Sequence, residues 1–213
     1  GNPHVFLKNL DSGQVRRLSL TGKYNTGPSI SPDGSQVVFA HMVDGIHKLF
    51  LVDLGTGRER QLTFGPGSDE DPTWSPDGKK FAFVSNRSGN PQVYIQDMVS
   101  GKVRRLTYEG NYNTQPSWSP RGDKIAYASF GDDRHNIYVI DVEGRQPLQL
   151  TYESGDNEAP SWSPDGSLIA FSSTREGKSR LYVMTAYGTD QKRLLTLSGE
   201  QTNPKWSMNI INP

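Results

Sequence analysis

The apolar positions of the chain recur in short runs separated by turn-forming residues. From Asp71 to Tyr108 the runs are Thr73-Trp74-Ser75, Lys80-Phe81-Ala82-Phe83-Val84, Gln92-Val93-Tyr94-Ile95-Gln96-Asp97 and Lys102-Val103-Arg104-Arg105-Leu106-Thr107. Between them lie Pro76-Asp77-Gly78, Arg87-Ser88-Gly89-Asn90-Pro91 and Val99-Ser100-Gly101. Proline presets φ and Asp and Gly tolerate the remaining turn angles, so each interruption reads as a reversal between strands. The first three runs are apolar or alternating, whereas the fourth carries Arg and Lys outward. A sheet graded from a buried inner strand to a solvated outer edge is a propeller blade.

The unit repeats every 44 residues: Ser31, Ser75, Ser119, Ser163 and Ser207 head Ser-Pro-Asp-Gly signatures, intact or degraded. In the same register stand Ile30, Trp74, Trp118, Trp162 and Trp206, the prolines Pro28, Pro72, Pro116, Pro160 and Pro204, and the aromatics Phe6, Phe50, Tyr94, Tyr138 and Tyr182. Self-similarity at such a period marks stacked supersecondary units that cannot bury both faces alone. The pattern predicts an all-β propeller with strands near 29–32, 36–41, 48–54 and 58–63 and at each 44-residue step, and almost no helix. One domain, 1–213, then holds repeats at roughly 28–71, 72–115, 116–159 and 160–203, with partial repeats at 1–27 and 204–213. The tryptophans are expected between blades.

The ends do not complement each other. Val5-Phe6-Leu7 aligns with third strands, and Pro213 aligns with Ile169 at the start of a second strand. A blade joined from both ends, with Pro204–Ser207 inside and Val5–Leu10 and Gln14–Ser19 outside, would lack its second strand and leave backbone groups unpaired. The expected parent is therefore a larger, six-bladed ring, with a five-bladed ring holding one incomplete blade as the alternative. The open edge is a candidate surface for self-association.

Composition narrows the functions. Lys+Arg and Asp+Glu balance at 23 each, so no global field draws nucleic acid or an anionic membrane. No apolar run approaches the roughly 18 residues that span a bilayer. The absence of cysteine removes disulfides, thiolate catalysis and Cys-ligated metal, and fits the bacterial periplasm. No Gly-x-Ser-x-Gly elbow is present, Gly65-Pro66-Gly67 is not followed by a phosphate-binding helix, and no carboxylate pair is placed for acid–base work, so no catalytic residue is assigned. Of the four histidines, His47 and His135 share one repeat position on third strands and are expected far apart and away from the axis. Arg16-Arg17 and Arg104-Arg105 read as solvated edge protection.

The stretch Pro72-Thr73-Trp74-Ser75-Pro76-Asp77-Gly78, continued by Ser85-Asn86-Arg87-Ser88-Gly89-Asn90-Pro91-Gln92-Val93-Tyr94, resembles the TolB family, the periplasmic component of the Tol-Pal system. Leu106-Thr107-Tyr108-Glu109-Gly110-Asn111, Ile137-Tyr138-Val139-Ile140-Asp141 and Asn203-Pro204-Lys205-Trp206-Ser207 extend the likeness over essentially the whole chain; Ile30, Arg121 and Met208 depart from it. The resemblance implies a periplasmic, non-enzymatic six-bladed propeller that binds the peptidoglycan-associated lipoprotein Pal. It also implies roles in outer-membrane integrity, division and colicin import.

The segments entering the first strands suggest where such a partner docks. They read Tyr24-Asn25-Thr26-Gly27, Ser68-Asp69-Glu70-Asp71, Tyr112-Asn113-Thr114-Gln115, Asp156-Asn157-Glu158-Ala159 and Glu200-Gln201-Thr202-Asn203. As loops at the channel mouth, they predict two stacked polar rings, Asn25, Asp69, Asn113, Asn157 and Gln201 above Thr26, Glu70, Thr114, Glu158 and Thr202, with Tyr24 and Tyr112 as aromatic anchors. Asp69, Glu70, Asp71, Asp156 and Glu158 could hold a weak calcium ion through oxygen ligands; no other cofactor is expected. The alternatives are a gating propeller detached from a prolyl-oligopeptidase-type peptidase and a solute- or glycan-binding propeller.

Overall fold

A computed structural model describes residues 2–19, 23–152 and 155–206. Its described residues contain no helix. A hairpin of β1 (Phe6–Lys8) and β2 (Val15–Arg17) precedes four antiparallel four-stranded sheets. Blade 1 is β3 (Lys23–Ile30), β4 (Gln36–Val43), β5 (Ile46–Asp53) and β6 (Glu59–Gln61). Blade 2 is β7 (Asp69–Trp74), β8 (Lys80–Ser85), β9 (Gln92–Asp97) and β10 (Val103–Arg105). Blade 3 is β11 (Tyr112–Trp118), β12 (Lys124–Gly131), β13 (Arg134–Asp141) and β14 (Leu148–Gln149). Blade 4 is β15 (Asn157–Trp162), β16 (Leu168–Ser173), β17 (Arg180–Thr185) and β18 (Lys192–Arg193).

The repeat signatures have direct structural causes. In the Ser-Pro-Asp-Gly turns the Ser31, Ser75 and Ser163 hydroxyls each donate to the aspartate two residues on at 2.6 Å, and the glycine N–H closes the turn on the serine carbonyl. The threonine of each Leu-Thr pair accepts a third-strand N–H of its own blade: Thr63 from Leu49, Thr107 from Val93 and Thr151 from Ile137. Burying those hydroxyls carries no penalty because each has a partner.

Apolar faces close between consecutive blades. Trp74, Phe81 and Phe83 of blade 2 pack on Val38, Ala40 and Leu49 of blade 1, and the same arrangement recurs between blades 2 and 3 and between 3 and 4. Trp74 and Trp162 also donate their indole N–H to Ser29 and Ser117 on the preceding inner strand, each at 3.1 Å. Trp118 bonds Gly122 of its own blade instead. The tryptophans thus stand between blades, as their register predicts.

The inner strands β3, β7, β11 and β15 pack in chain order, and among the described strands β15 does not return to β3. The arc is open. Leu18, Leu62, Leu106 and Leu150 are buried between neighbours, whereas Leu194 at the same repeat position is 44% exposed. The blade expected from the two ends does not assemble among the described residues. β1 pairs only with β2, 203–206 carries no strand, and Trp206 turns onto Ser161 of β15. Ser207 lies outside the described residues.

First strands differ most from expectation. They begin four to six residues earlier than the pattern predicts, so the segments read as loops are strand. Each carries a bulge, between Thr26 and Ser29, Glu70 and Thr73, Thr114 and Ser117, and Glu158 and Ser161. The bulge residues Gly27, Asp71, Gln115 and Ala159 have φ of 57°, 50°, 52° and 53°. A bulge supplies the extra residue that sequence periodicity leaves unpaired. Only glycine adopts this conformation freely, so three of the four positions hold local strain beside the axis.

Candidate functional site

Each inner strand presents the predicted residues differently from a loop. The first predicted ring is not at the surface: Asn25 is 2% exposed, and Asp69, Asn113 and Asn157 are fully buried. The cause is strand alternation, which turns this column into the blade, where each side chain finds partners. Asn25 lies 3.3 Å from His4 Nδ1 through its Nδ2. Asp69 accepts from Lys48 at 3.0 Å and from Arg87 at 2.8 Å. Asn113 donates to Gln92 Oε1 at 2.8 Å, and Asn157 accepts from Arg175 at 3.0 Å. Gln201 is half-buried and donates to Leu197 O, and Thr202 is exposed outside any strand.

The second column does reach the mouth. Thr26 is exposed, and Glu70, Thr114 and Glu158 are half-buried. Tyr24 and Tyr112 are each 46% exposed. Beneath them the bulge residues are linked from blade to blade. The Gln115 N–H donates to the Asp71 carboxylate, and the Ala159 N–H donates to Gln115 Oε1 at 2.8 Å. Burial raises the Asp71 pKa above the ordinary carboxylate range, and the Glu70 charge adds to that. The Gln115 N–H and the Lys205 charge offset part of the rise.

The histidines are closer to this rim than their third-strand register suggests. His47 Nδ1 lies 2.5 Å from Glu70 Oε1, and His135 Nδ1 lies 3.2 Å from Asp156 Oδ1 and 3.5 Å from Glu158 Oε1. The reason is the length of the hairpins. The second and third strands of blades 1 and 3 have eight residues each against six in blades 2 and 4, so their tips carry the histidines over the next blade's inner strand. Arg87 and Arg175 take the corresponding place in the short-hairpin blades, stacked at 5.3 Å on Phe83 and 5.4 Å on Phe171.

Between the long hairpin of blade 3 and the low loop of blade 2 opens a cavity of about 410 Å³. Glu70 and Asp71 of β7, Tyr112, Thr114 and Gln115 of β11, and Glu158 of β15 line it, with His135, Asn86 and Pro91. Three inner strands therefore contribute to one acidic, aromatic-edged concavity. His135 and Asn86 were not among the docking residues the sequence pointed to, although His135 shares the repeat position of His47, and Gln115 stood in a mouth segment without being assigned to either ring. Of the five acids expected to hold calcium, Asp69 is engaged by Lys48 and Arg87. Among the described residues no group of three or more His, Asp and Glu side chains is placed to hold a metal ion.

A family model described as the TolB beta propeller domain matches residues 1–210. The chain belongs to the TolB beta-propeller family. TolB from Acinetobacter baumannii superposes with a TM-score of 0.85 at 30% identity, over 96% of this chain and 51% of that one. A putative TolB from Agrobacterium tumefaciens gives 0.85 at 23% identity, over 94% and 72%. A Mycobacterium tuberculosis puromycin-hydrolyzing peptidase gives 0.66 at 20% identity, over 87% and 33%, a likeness of fold alone. A search of curated proteins returned no match. The chain spans about half the length of the Acinetobacter TolB it resembles. Its propeller is thus TolB-like, the open arc matches part of a longer TolB chain, and no described helix is long and apolar enough to cross a membrane.

Proposed function

We propose that this chain is the protein-docking part of a periplasmic TolB-like protein. Its partner, a lipoprotein of the Pal type, enters the channel mouth. The activity is binding without catalysis, in service of outer-membrane integrity, division and colicin import. The single observation that carries the reading is the concavity to which β7, β11 and β15 all contribute, rimmed by half-exposed Tyr112 and by Glu70 and Glu158. Rigid strands hold the polar groups while aromatic edges stay accessible, which is the form of a binding surface on a repeat scaffold. The acids at its edge suit a basic segment of the partner and act on association rate. Gating of a peptidase draws no support beyond shared fold.

The chain has no cysteine, so a single one can be introduced as a probe. In the complete gene product, Thr114→Cys labelled with a photo-crosslinker is expected to capture the Pal-type partner. Val99→Cys, on a fully exposed outer turn, is expected not to. Capture from position 99 but not from 114 contradicts the reading.

A further inference from the structure

The three crevices between consecutive blades are not equivalent. Between blades 1 and 2 the Gln96 carboxamide donates to the Leu62 carbonyl at 3.1 Å. Between blades 3 and 4 the Gln191 carboxamide donates to the Leu150 carbonyl, also at 3.1 Å. Leu106 is the equivalent leucine between blades 2 and 3, but one repeat from Gln96 stands Ile140, and one repeat from Gln191 stands Pro147. Neither side chain can donate a hydrogen bond. A crevice of about 450 Å³ is open there, lined by Leu106, Tyr108, Glu109, Tyr127, Gln146 and Pro147 among others. That volume lies within the range of small-molecule sites.

A second difference falls in the same place. Residues 39, 83 and 171 are phenylalanine, whereas blade 3 has Tyr127. Tyr127 is 2% exposed as a residue and lines the crevice, so its hydroxyl stands at the crevice wall and is not one of the sealed, unpartnered polar atoms of the described residues. In a column that is otherwise phenylalanine, this hydroxyl gives the crevice wall a donor that the other blades lack. Burial, then the neighbouring Tyr138 and Glu109, push its pKa up, so it stays protonated and able to donate.

At the rim, Tyr108 is 70% exposed, with the Arg105 guanidinium 4.7 Å over one side of its ring and the other side left as an aromatic face, while Glu109, Gln146 and Arg145 supply planar acceptors and donors. Aromatic face against ring, planar polar groups against ring edges, and a carbonyl awaiting an amide N–H define one ligand chemistry. We propose that the crevice between blades 2 and 3 binds an N-acetylated amino sugar, its acetamido N–H replacing the glutamine carboxamide that fills the two sibling crevices. The site goes beyond the channel mouth and shares no lining residue with it.

The test is saturation-transfer NMR on the complete gene product with N-acetylglucosamine at millimolar concentration and glucose as the control. The expected result is transfer to the acetyl methyl and ring protons of N-acetylglucosamine, with glucose at least about tenfold weaker. Pro147→Gln restores the plug found between blades 3 and 4 and is expected to abolish the signal. Tyr127→Phe, the residue of the other blades, is expected to weaken binding about fivefold while the fold stays intact. No transfer to N-acetylglucosamine, equal transfer to glucose, or signals unchanged in both variants overturns the proposal. None of these outcomes bears on docking at the mouth, which uses other residues.

Discussion

The Lys48 ammonium lies 3.0 Å from the Asp69 carboxylate, and both side chains are buried, at 4% and 0% exposure. Arg87 meets the other Asp69 oxygen at 2.8 Å and lies 5.2 Å from the Tyr94 ring centre. One buried anion thus holds β5 of blade 1, β7 and the short hairpin of blade 2 together. Removing the anion strands the Lys48 ammonium in a dry site beside the half-buried Arg87, and breaking a buried pair costs about 3–5 kcal/mol. Asp69→Ala is therefore expected to lower unfolding free energy by that amount in denaturant melts. The pair Lys48→Gln with Asp69→Asn recreates the neutral Gln92–Asn113 arrangement one repeat on, and is expected to lose much less. Equal losses in the two variants contradict this account of the charge.

The Ser-Pro-Asp-Gly turns give an acid signature. Asp33 and Asp165 are held down to about 2 from an ordinary value of 3.8, first by the Ser31 and Ser163 hydroxyls and then by donors from Ser35 and Ser167. Asp77 is lowered for the same reason, with Ser75 as the first cause. A carboxyl depressed in the folded state stabilises the fold while ionised. The contribution is complete above the unfolded value and is lost as pH falls through about 4 towards 2. Carboxyl NMR titration is expected to place Asp33 and Asp165 near the foot of that window. A midpoint at the ordinary value for either would remove the hydroxyl donors from the account.

Protection should vary along the arc. Among the described residues the β1–β2 hairpin packs on blade 1 alone, through Val5, Leu7 and Leu18 on Val37 and Phe39, and its two strands are three residues long. Few buried contacts and short ladders mean low opening free energy. In a monomer, amides of Phe6–Lys8 are expected to exchange faster than those of Phe81–Val84, a segment walled in by two blades. Equal protection in a proven monomer would contradict this.

How much of this was legible in the sequence depends on which physics each element follows. Second and third strands were readable because alternation and turn residues set their limits locally. Blade stacking followed from the tryptophan register. Only the outer halves of the first strands were recognised, and their beginnings were misread as loops because a left-handed bulge at Asp71, Gln115 and Ala159 breaks the period-two pattern from which strands are recognised. The burial of Asp69 and Asn113 was hidden for the same reason, since shifting the register by one residue exchanges the faces. The reach of His47 and His135 to Glu70 and Glu158 depends on hairpin length, which the 44-residue average conceals.

The central claim is that the mouth built by β7, β11 and β15 receives the partner. The most direct measurement is calorimetric titration of the complete gene product with a Pal-type lipoprotein domain, comparing Tyr112→Ala, Glu70→Ala and Arg104→Ala at equal folding. Loss of a half-exposed aromatic anchor is expected to cost about 2 kcal/mol, or roughly thirtyfold in affinity. Glu70→Ala should act mainly on salt dependence and association rate. Arg104, on the outer strand β10 with its guanidinium on the Val142 carbonyl, should leave binding unchanged. Weakening by Arg104→Ala with Tyr112→Ala silent, or no binding by the wild type, would contradict the account.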